Sequence, residues 1–97
     1  MQIQVFIGDA GDGKINKLHE IHSELIAMGK TPSIINAAIF GDYGFMDVVE
    51  AHVESGHREI LADFCSCAQI MKVLEWRSSV EHDPGFDDLV IHLARKG

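Results

Sequence analysis

The chain has 97 residues, of which 46% are apolar, and its formal net charge is −7 at pH 7. A chain of this size buries only about 60–65% of its unfolded surface, so we expect one domain with one compact core. The acidic balance disfavours a broad nucleic-acid interface, which requires clustered Lys and Arg. No basic flank or long apolar run is found at the N-terminus, so we expect neither a secretion signal nor a membrane span, and we predict a cytoplasmic protein.

Apolar runs alternate with helical patterns along the chain. This alternation predicts βαβ units and a mainly parallel sheet of about four strands between helices, which is a three-layer α/β/α sandwich. In chain order, the expected strands are residues 2–7, 33–39, 59–63 and 88–93. The second run is apolar almost throughout, which favours a central place in the sheet. The last run is short, so a terminal helix is the alternative there.

Three helices are expected between these strands, because apolar residues recur at intervals of three and four. They cover about residues 13–29, a segment marked by Phe45, Val48, Val49, His52 and Val53, and about residues 66–80. We expect a turn at residues 41–44 before the second helix. The three helices are followed by the stop signals Met28-Gly29-Lys30, Gly56 and Asp83-Pro84-Gly85, respectively.

The first expected strand runs into the glycine-rich segment Gly8-Asp9-Ala10-Gly11-Asp12-Gly13-Lys14. Gly8, Gly13 and Lys14 match the pattern G-x-x-x-x-G-K, and Gly11 adds the spacing found in many nucleotide kinases and ATPases. A loop that wraps a phosphate turns its backbone N–H groups inward, which glycine permits at little cost. The following helix points its N-terminus at the same anion. The segment therefore resembles the phosphate-binding loop of P-loop NTPases.

This resemblance implies that the segment binds ATP or GTP, with Mg²⁺ as a possible cofactor. The residues that it assigns to the nucleotide are Gly8, Asp9, Ala10, Gly11, Asp12, Gly13, Lys14, Ile15 and Asn16. Lys14 would contact the outer phosphates. Ile15 stands where the family has a Ser or Thr that ligates Mg²⁺, and Asn16 is turned about 100° further around the helix, towards an inner phosphate. The carboxylates of Asp9 and Asp12 would repel the ligand unless they point outward.

Asp63 ends the third expected strand. The run resembles the apolar strand ending in Asp that the family places opposite its loop, which implies an indirect role for Asp63 in holding Mg²⁺. For a lone Asp, a helix N-cap or a turn is the alternative. In the division of the family with an extra strand, a catalytic Glu usually lies beside or near this Asp, but here the next residue is Phe64. Asp42 is the one candidate for orienting the attacking water, and the alternative is that it is a turn residue. Asp9 replaces the additional lysine of ATPases for partitioning or metal insertion, which disfavours that subgroup.

The first strand is expected at a sheet edge if the fourth strand lies between the first and third, as in the extra-strand division. Such an edge carries unpaired backbone groups that invite pairing. We therefore expect a homodimer or a partner protein there. Taken together, the resemblance implies a nucleotide-binding protein with weak or absent hydrolysis, a degenerate P-loop NTPase. The alternative is an interaction or regulatory module that keeps this fold without the ligand.

Two further pairs of residues have chemical alternatives. His19 and His22 could share a metal, but no ligand set completes the site, which favours solvated or half-buried histidines. Cys65 and Cys67 are too close for an ordinary disulfide and too few for a zinc site, so we expect reduced thiols. A helix N-terminus could activate these thiols, but no partner residue supports a nucleophile, and core or capping roles are favoured.

Three more side chains could contact a ligand or a partner. Arg77 and Arg95 could reach a phosphate, although a lone arginine is usually a surface residue. Trp76, next to Arg77, could mark a contact surface.

Overall fold

A computed structural model describes residues 1–6 and 14–95, and for residues 14–16 it describes the backbone alone. In this part of the chain, four parallel strands form one sheet in the order β1-β4-β3-β2. In chain order the elements are β1 (Gln2–Phe6), α1 (Lys14–Ala27), β2 (Ile34–Asn36), α2 (Asp42–Glu54), β3 (Glu59–Cys65), α3 (Cys67–Ser79) and β4 (Val90–Arg95). The expected α/β architecture is confirmed, and the chain ends its described part in a strand rather than a helix. None of the helices described is long and apolar enough to cross a membrane.

The core has two parts, one on each face of the sheet, because side chains of a strand alternate between its faces. On one face, Leu61 of β3 and Ala94 of β4 pack against Leu18 and Leu25 of α1. On the other face, β3 and β4 pack against α2 and α3. The buried residues of this second part are Ile35, Ala37, Phe45, Val49, Ile60, Ala62, Cys65, Ile70, Val73, Leu89, Ile91 and Leu93. The sheet is therefore covered by α1 on one face and by α2 and α3 on the other.

The fourth strand lies between the first and the third, which is the arrangement considered above. Within the described residues, β1 pairs with β4 alone, in a register that places Phe6 beside Ala94. No residue of β1 is fully buried, although Ile3 and Val5 pack against the core. The first strand is thus an edge of the sheet.

The second strand is also an edge, so its expected central position is wrong. It covers only Ile34–Asn36, and residues 37–39 form a 3₁₀ turn instead of continuing the strand. The side chain of Asn36 ends the strand because its Oδ1 accepts a hydrogen bond from the backbone N–H of Ala38 at 3.1 Å. Apolar Ala37 still enters the core, which explains why the run looked like a buried strand.

Most helix boundaries lie close to those expected. Gly29 has φ of 82° after α1, and the backbone N–H of Lys30 donates to the carbonyl of Leu25 at 3.0 Å, which closes the helix as expected from its glycine stop. The turn expected at residues 41–44 is wrong, because Gly41 is the N-cap of α2 and Asp42 lies in its first turn.

Candidate functional site

The carboxyl ends of parallel strands meet at one edge of a sheet, and ligands of open α/β sheets bind outside that edge. Here Phe6 pairs with Ala94, and Asn36 pairs with Asp63. On the other side of β4, Ala62 pairs with Leu93 and Cys65 with Arg95, so β4 lies between Phe6 and Asp63. Two strand spacings amount to about 10 Å. The end of β1 and the Asp63 carboxylate therefore lie at the same level of the same edge.

The glycine-rich segment itself lies outside the described residues. This holds for the predicted contacts at Gly8, Asp9, Ala10, Gly11, Asp12 and Gly13, and for the side chains of Lys14, Ile15 and Asn16. The structure does describe the elements on either side of the segment. β1 ends at Phe6 on the carboxyl edge, and α1 begins at Lys14. The nucleotide contacts stay predictions.

The carboxylate of Asp63 is held by the backbone of the next residue, Phe64. The side chain is nearly buried, and its Oδ1 accepts a hydrogen bond from the N–H of Phe64 at 2.7 Å. The N-cap of α3 is Ser66, so the alternative in which Asp63 caps that helix is wrong. Asp63 thus ends its strand at the carboxyl edge, and its indirect role at a metal stays a prediction.

A bulge interrupts the pairing of β3 with β4 directly after Asp63. Ala62 pairs with Leu93, whereas Cys65 pairs with Arg95, so β3 advances by three residues where β4 advances by two. Phe64 takes up the extra residue with φ of 58°, the left-handed conformation that costs an L-residue about 1–2 kcal/mol. Its side chain is 42% exposed.

The two cysteines are free thiols with different surroundings. Cys65 is fully buried in the core, and burial, followed by the nearby Asp63 carboxylate, raises the pKa of its thiol to about 12. A thiol with this pKa is inert at neutral pH, so the activated alternative is wrong for Cys65 and its expected core role is confirmed. Cys67 is exposed in the first turn of α3, next to the capping residue rather than in its place.

Gln69 joins the start of α3 to the 3₁₀ turn that follows β2, and the sequence interpretation missed it. Its side chain and that of Ser66 form a reciprocal capping box, with hydrogen bonds of 2.9 and 3.1 Å. Its Nε2 also donates to the carbonyls of Ala37 and Phe40, at 2.8 and 3.0 Å. The pattern of Ser followed three residues later by Gln was a readable signal for the box.

A second polar group missed by the interpretation lies on the face of the sheet that α1 covers. The ring of His92 is nearly buried between Gln4 of β1 and Glu59 of β3. Its Nδ1 lies 2.8 Å from Gln4 Oε1, and its Nε2 lies 2.6 Å from Glu59 Oε2. An oxygen therefore faces each ring nitrogen, so both nitrogens of His92 are engaged by side chains of the neighbouring strands. We call these three hydrogen-bonded side chains, Gln4, His92 and Glu59, the polar chain; they link three strands across the sheet.

A cavity of about 390 Å³ lies at the opposite, amino edge, between the ends of α1 and α2. Its wall includes Leu25, Lys30 and Glu59. Arg58 also lines it, but its guanidinium donates to the carbonyl of Gly85 at 3.2 Å and lies 3.7 Å from Asp88. The guanidinium of Arg58, one of the charged groups in the cavity wall, is thus engaged in contacts within the chain.

The other candidate residues of the sequence analysis do not form a common site within the described ranges. No group of three or more His, Cys, Asp or Glu side chains gathers within the described ranges, and His19 is exposed while His22 is half-buried. Trp76 packs edge-on against Phe86, with ring centroids 5.6 Å apart, and is half-buried; its role as a contact surface stays a prediction. Arg77 is exposed on α3.

Comparison of the chain with protein-family models, curated proteins and solved structures gives no match.

Proposed function

We propose that this chain is a cytoplasmic nucleotide-binding protein that holds the phosphates of ATP or GTP at the carboxyl edge of its sheet and hydrolyses them weakly or not at all. One observation carries the proposal: β1 ends at this edge at Phe6, and α1 begins at Lys14. The intervening glycine-rich segment therefore joins a strand to a helix N-terminus, which is the context that a phosphate-binding loop requires.

The sheet supports the proposal through its strand order. β4 lies between β1 and β3, the arrangement that the resemblance to the extra-strand division implies. Asp63 is then separated from the end of β1 by one intervening strand, β4, and lies at the same edge. A carboxylate at that place can hold a metal-bound water opposite the phosphates.

Weak hydrolysis follows from the residues available for Mg²⁺. This ion usually takes one or two carboxylates, with phosphate oxygens and water as its other ligands. Asp63 can supply or orient one such ligand, but one of its oxygens already accepts from the backbone of Phe64. Ile15 has no oxygen to offer, so the protein would hold the metal mainly through the nucleotide.

Calorimetric titration of the protein with ATP and with GTP, in the presence of Mg²⁺, tests this function. We expect saturable binding with micromolar affinity, together with a rise in melting temperature from linkage. If neither heat nor a thermal shift is found for either nucleotide, the proposal is wrong, and the alternative of an interaction module without the ligand takes its place.

The missing hydroxyl leads to a prediction about turnover. Ile15→Thr restores the side chain that ligates Mg²⁺ in the family, so it is expected to raise Mg²⁺-dependent release of phosphate from ATP. Phosphate release is measured at saturating nucleotide. The control is Ile15→Val, because valine has the branched shape of threonine but no hydroxyl. Equal rates in both variants would show that more than the hydroxyl is missing.

We also propose that a second copy of the chain pairs with the β1 edge. Residues 1–6 carry no charged side chain in a chain with a net charge of −7, so two copies of this strand can approach without placing like side-chain charges opposite each other. The N–H of Gln2 donates to the carbonyl of Leu89, and alternation along the strand then turns the N–H groups of Ile3 and Val5 outward.

Light scattering at micromolar concentration tests this pairing. The wild-type protein is expected at twice the chain mass of 10.7 kDa. Ile3→Pro removes an outward N–H without removing a hydrogen bond to β4, and is expected to give a monomer. Ile3→Ala loses the same packing against the core but keeps the N–H, and is expected to stay a dimer. A monomeric wild type at this concentration would contradict the proposed dimer.

A further inference from the structure

The cavity at the amino edge of the sheet is built from two segments that lead into neighbouring strands. Residues 29–32 connect α1 to β2, and residues 55–59 lead from α2 into β3. Since these segments precede their strands, the cavity lies at the edge away from Asp63 and from the end of β1. Its volume of about 390 Å³ falls in the range of small-molecule sites.

The backbone of both segments is closed by hydrogen bonds at the helix ends. Gly29 and Gly56 have φ of 82° and 97°, the left-handed conformation that commonly ends a helix. The N–H that follows each glycine donates to a carbonyl of the last turns, at 3.0 Å to Leu25 and at 3.1 Å to His52. The backbone itself therefore caps both helices, and the basic side chains of the cavity wall are not taken up in that role.

The charged groups of the wall differ in whether they have a partner. The guanidinium of Arg58 lies 3.7 Å from Asp88, and the carboxylate of Glu59 lies 2.6 Å from the ring of His92. The ammonium of Lys30 has no hydrogen bond or ion pair with any residue that the structure describes. The cavity thus has one unmatched positive charge, in a chain with a net charge of −7.

The rest of the wall suits a short apolar body next to that charge. Leu25 and Pro32 contribute apolar surface, and Thr31 and His57 add a hydroxyl and an imidazole. Small-molecule sites typically combine an apolar lining with a few polar groups that orient the ligand. A single unmatched ammonium balances one negative charge, so a monoanion fits this wall better than a polyphosphate does.

We propose that this cavity binds a small organic monocarboxylate. Its carboxylate pairs with the ammonium of Lys30 in a charge-assisted hydrogen bond, and its hydrocarbon part packs on Leu25 and Pro32. The site is separate from the proposed function, because it lies at the opposite edge of the sheet and uses none of the residues assigned to the nucleotide.

Amide NMR of the ¹⁵N-labelled protein, titrated with phenylacetate and with hexanoate, tests the site. These are monocarboxylates with a rigid and a flexible body, whereas phenylethanol has the rigid body without the charge and inorganic phosphate has charge without a body. We expect both carboxylates to shift the signals of Gly29 and Gly56 in a saturable way, with the about millimolar affinity of ligands of this size. The signals of Gly41 and Gly44, at the start of α2 on the other edge, should stay in place.

Three variants separate the charge of Lys30 from general attraction of anions. Lys30→Gln is expected to bind phenylacetate about tenfold more weakly and phenylethanol unchanged, while Lys30→Arg keeps the charge and should stay within about threefold of the wild type. Lys17→Gln is the control, because it removes an exposed charge near the other end of α1 and should leave the affinity for phenylacetate unchanged.

Several results would overturn the inference. The site is wrong if both carboxylates leave Gly29 and Gly56 unshifted, or if phenylethanol binds as tightly as phenylacetate. It is also wrong if Lys30→Gln and Lys17→Gln lose affinity equally, or if phosphate gives saturable shifts at these two glycines and the carboxylates give none.

Discussion

Lys14→Ala is expected to weaken the binding of ATP by about tenfold to hundredfold, the loss that follows when a charge-assisted hydrogen bond worth about 1.5–3 kcal/mol is removed. In the proposed site the ammonium group contacts the outer phosphates, where the ligand carries most of its negative charge. The loss should be smaller for ADP than for ATP, and calorimetry with both nucleotides measures it.

Lys17→Ala is the matched control for this effect. Lys17 lies on the same helix, its side chain is 65% exposed, and its Nζ lies 4.0 Å from Glu20, so the substitution removes the same charge close to the site without a direct contact. Exposed charges are screened by salt, and we expect less than about a threefold change at physiological ionic strength. Equal losses in the two variants would reduce the role of Lys14 to general electrostatic attraction.

Glu59→Ala is expected to lower the free energy of unfolding by about 2–3 kcal/mol, because the nearly buried ring of His92 loses the oxygen that faces its Nε2. For a domain of this size, that corresponds to a fall of roughly 10–20 °C in melting temperature. The carboxylate is partly exposed, with 26% of its side chain accessible, which keeps the expected loss below that of a fully buried pair.

A second substitution tests whether the loss of stability in Glu59→Ala comes from the unpaired ring of His92. His92 pairs with Leu61 beneath α1, so Leu fits the apolar surroundings of position 92. His92→Leu in the Glu59→Ala background should therefore recover much of the lost stability, since an uncompensated polar ring is then removed. Glu50→Ala, at an exposed position of α2, provides the control. If Glu59→Ala lowers the free energy of unfolding no more than Glu50→Ala does, the polar chain does not stabilise the fold as proposed.

The third and fourth strands could be found from the sequence because they follow a simple physical pattern. The third and fourth are covered by helices on both faces, so their residues form nearly continuous apolar runs. The second strand could not be placed in the sheet from its apolar character. Ala37 is buried in a turn rather than in the strand, and apolar content alone does not distinguish these two environments.

The position of Phe64 could not be predicted from periodicity. A bulge changes the face of every residue after it, and its location depends on the pairing with β4, which lies far away in sequence. The interaction of His92 with Gln4 and Glu59 was hidden for a related reason. A histidine within an apolar strand signals a buried polar group, but its partners are known only when strand order and register are known.

The edge of the sheet used by the candidate site could be anticipated. The glycines follow the first strand and Asp63 ends the third, and parallel strands place both ends at one edge. The structure confirms that placement for Phe6 and Asp63. It also excludes Cys65 as an activated thiol, because the bulge turns this side chain into the core.

Backbone amide NMR of the ¹⁵N-labelled protein, titrated with Mg²⁺-ATP and with Mg²⁺-tripolyphosphate, tests the phosphate site most directly. The chain has only nine glycines, whose amide signals fall in a well-separated region of the spectrum. We predict that the amides of Gly8, Gly11, Gly13 and Lys14 shift in a saturable way with both ligands, as inward-facing N–H groups bind the anion. If these four signals stay in place while the ligand is present in excess, no phosphate binds there and the account is wrong.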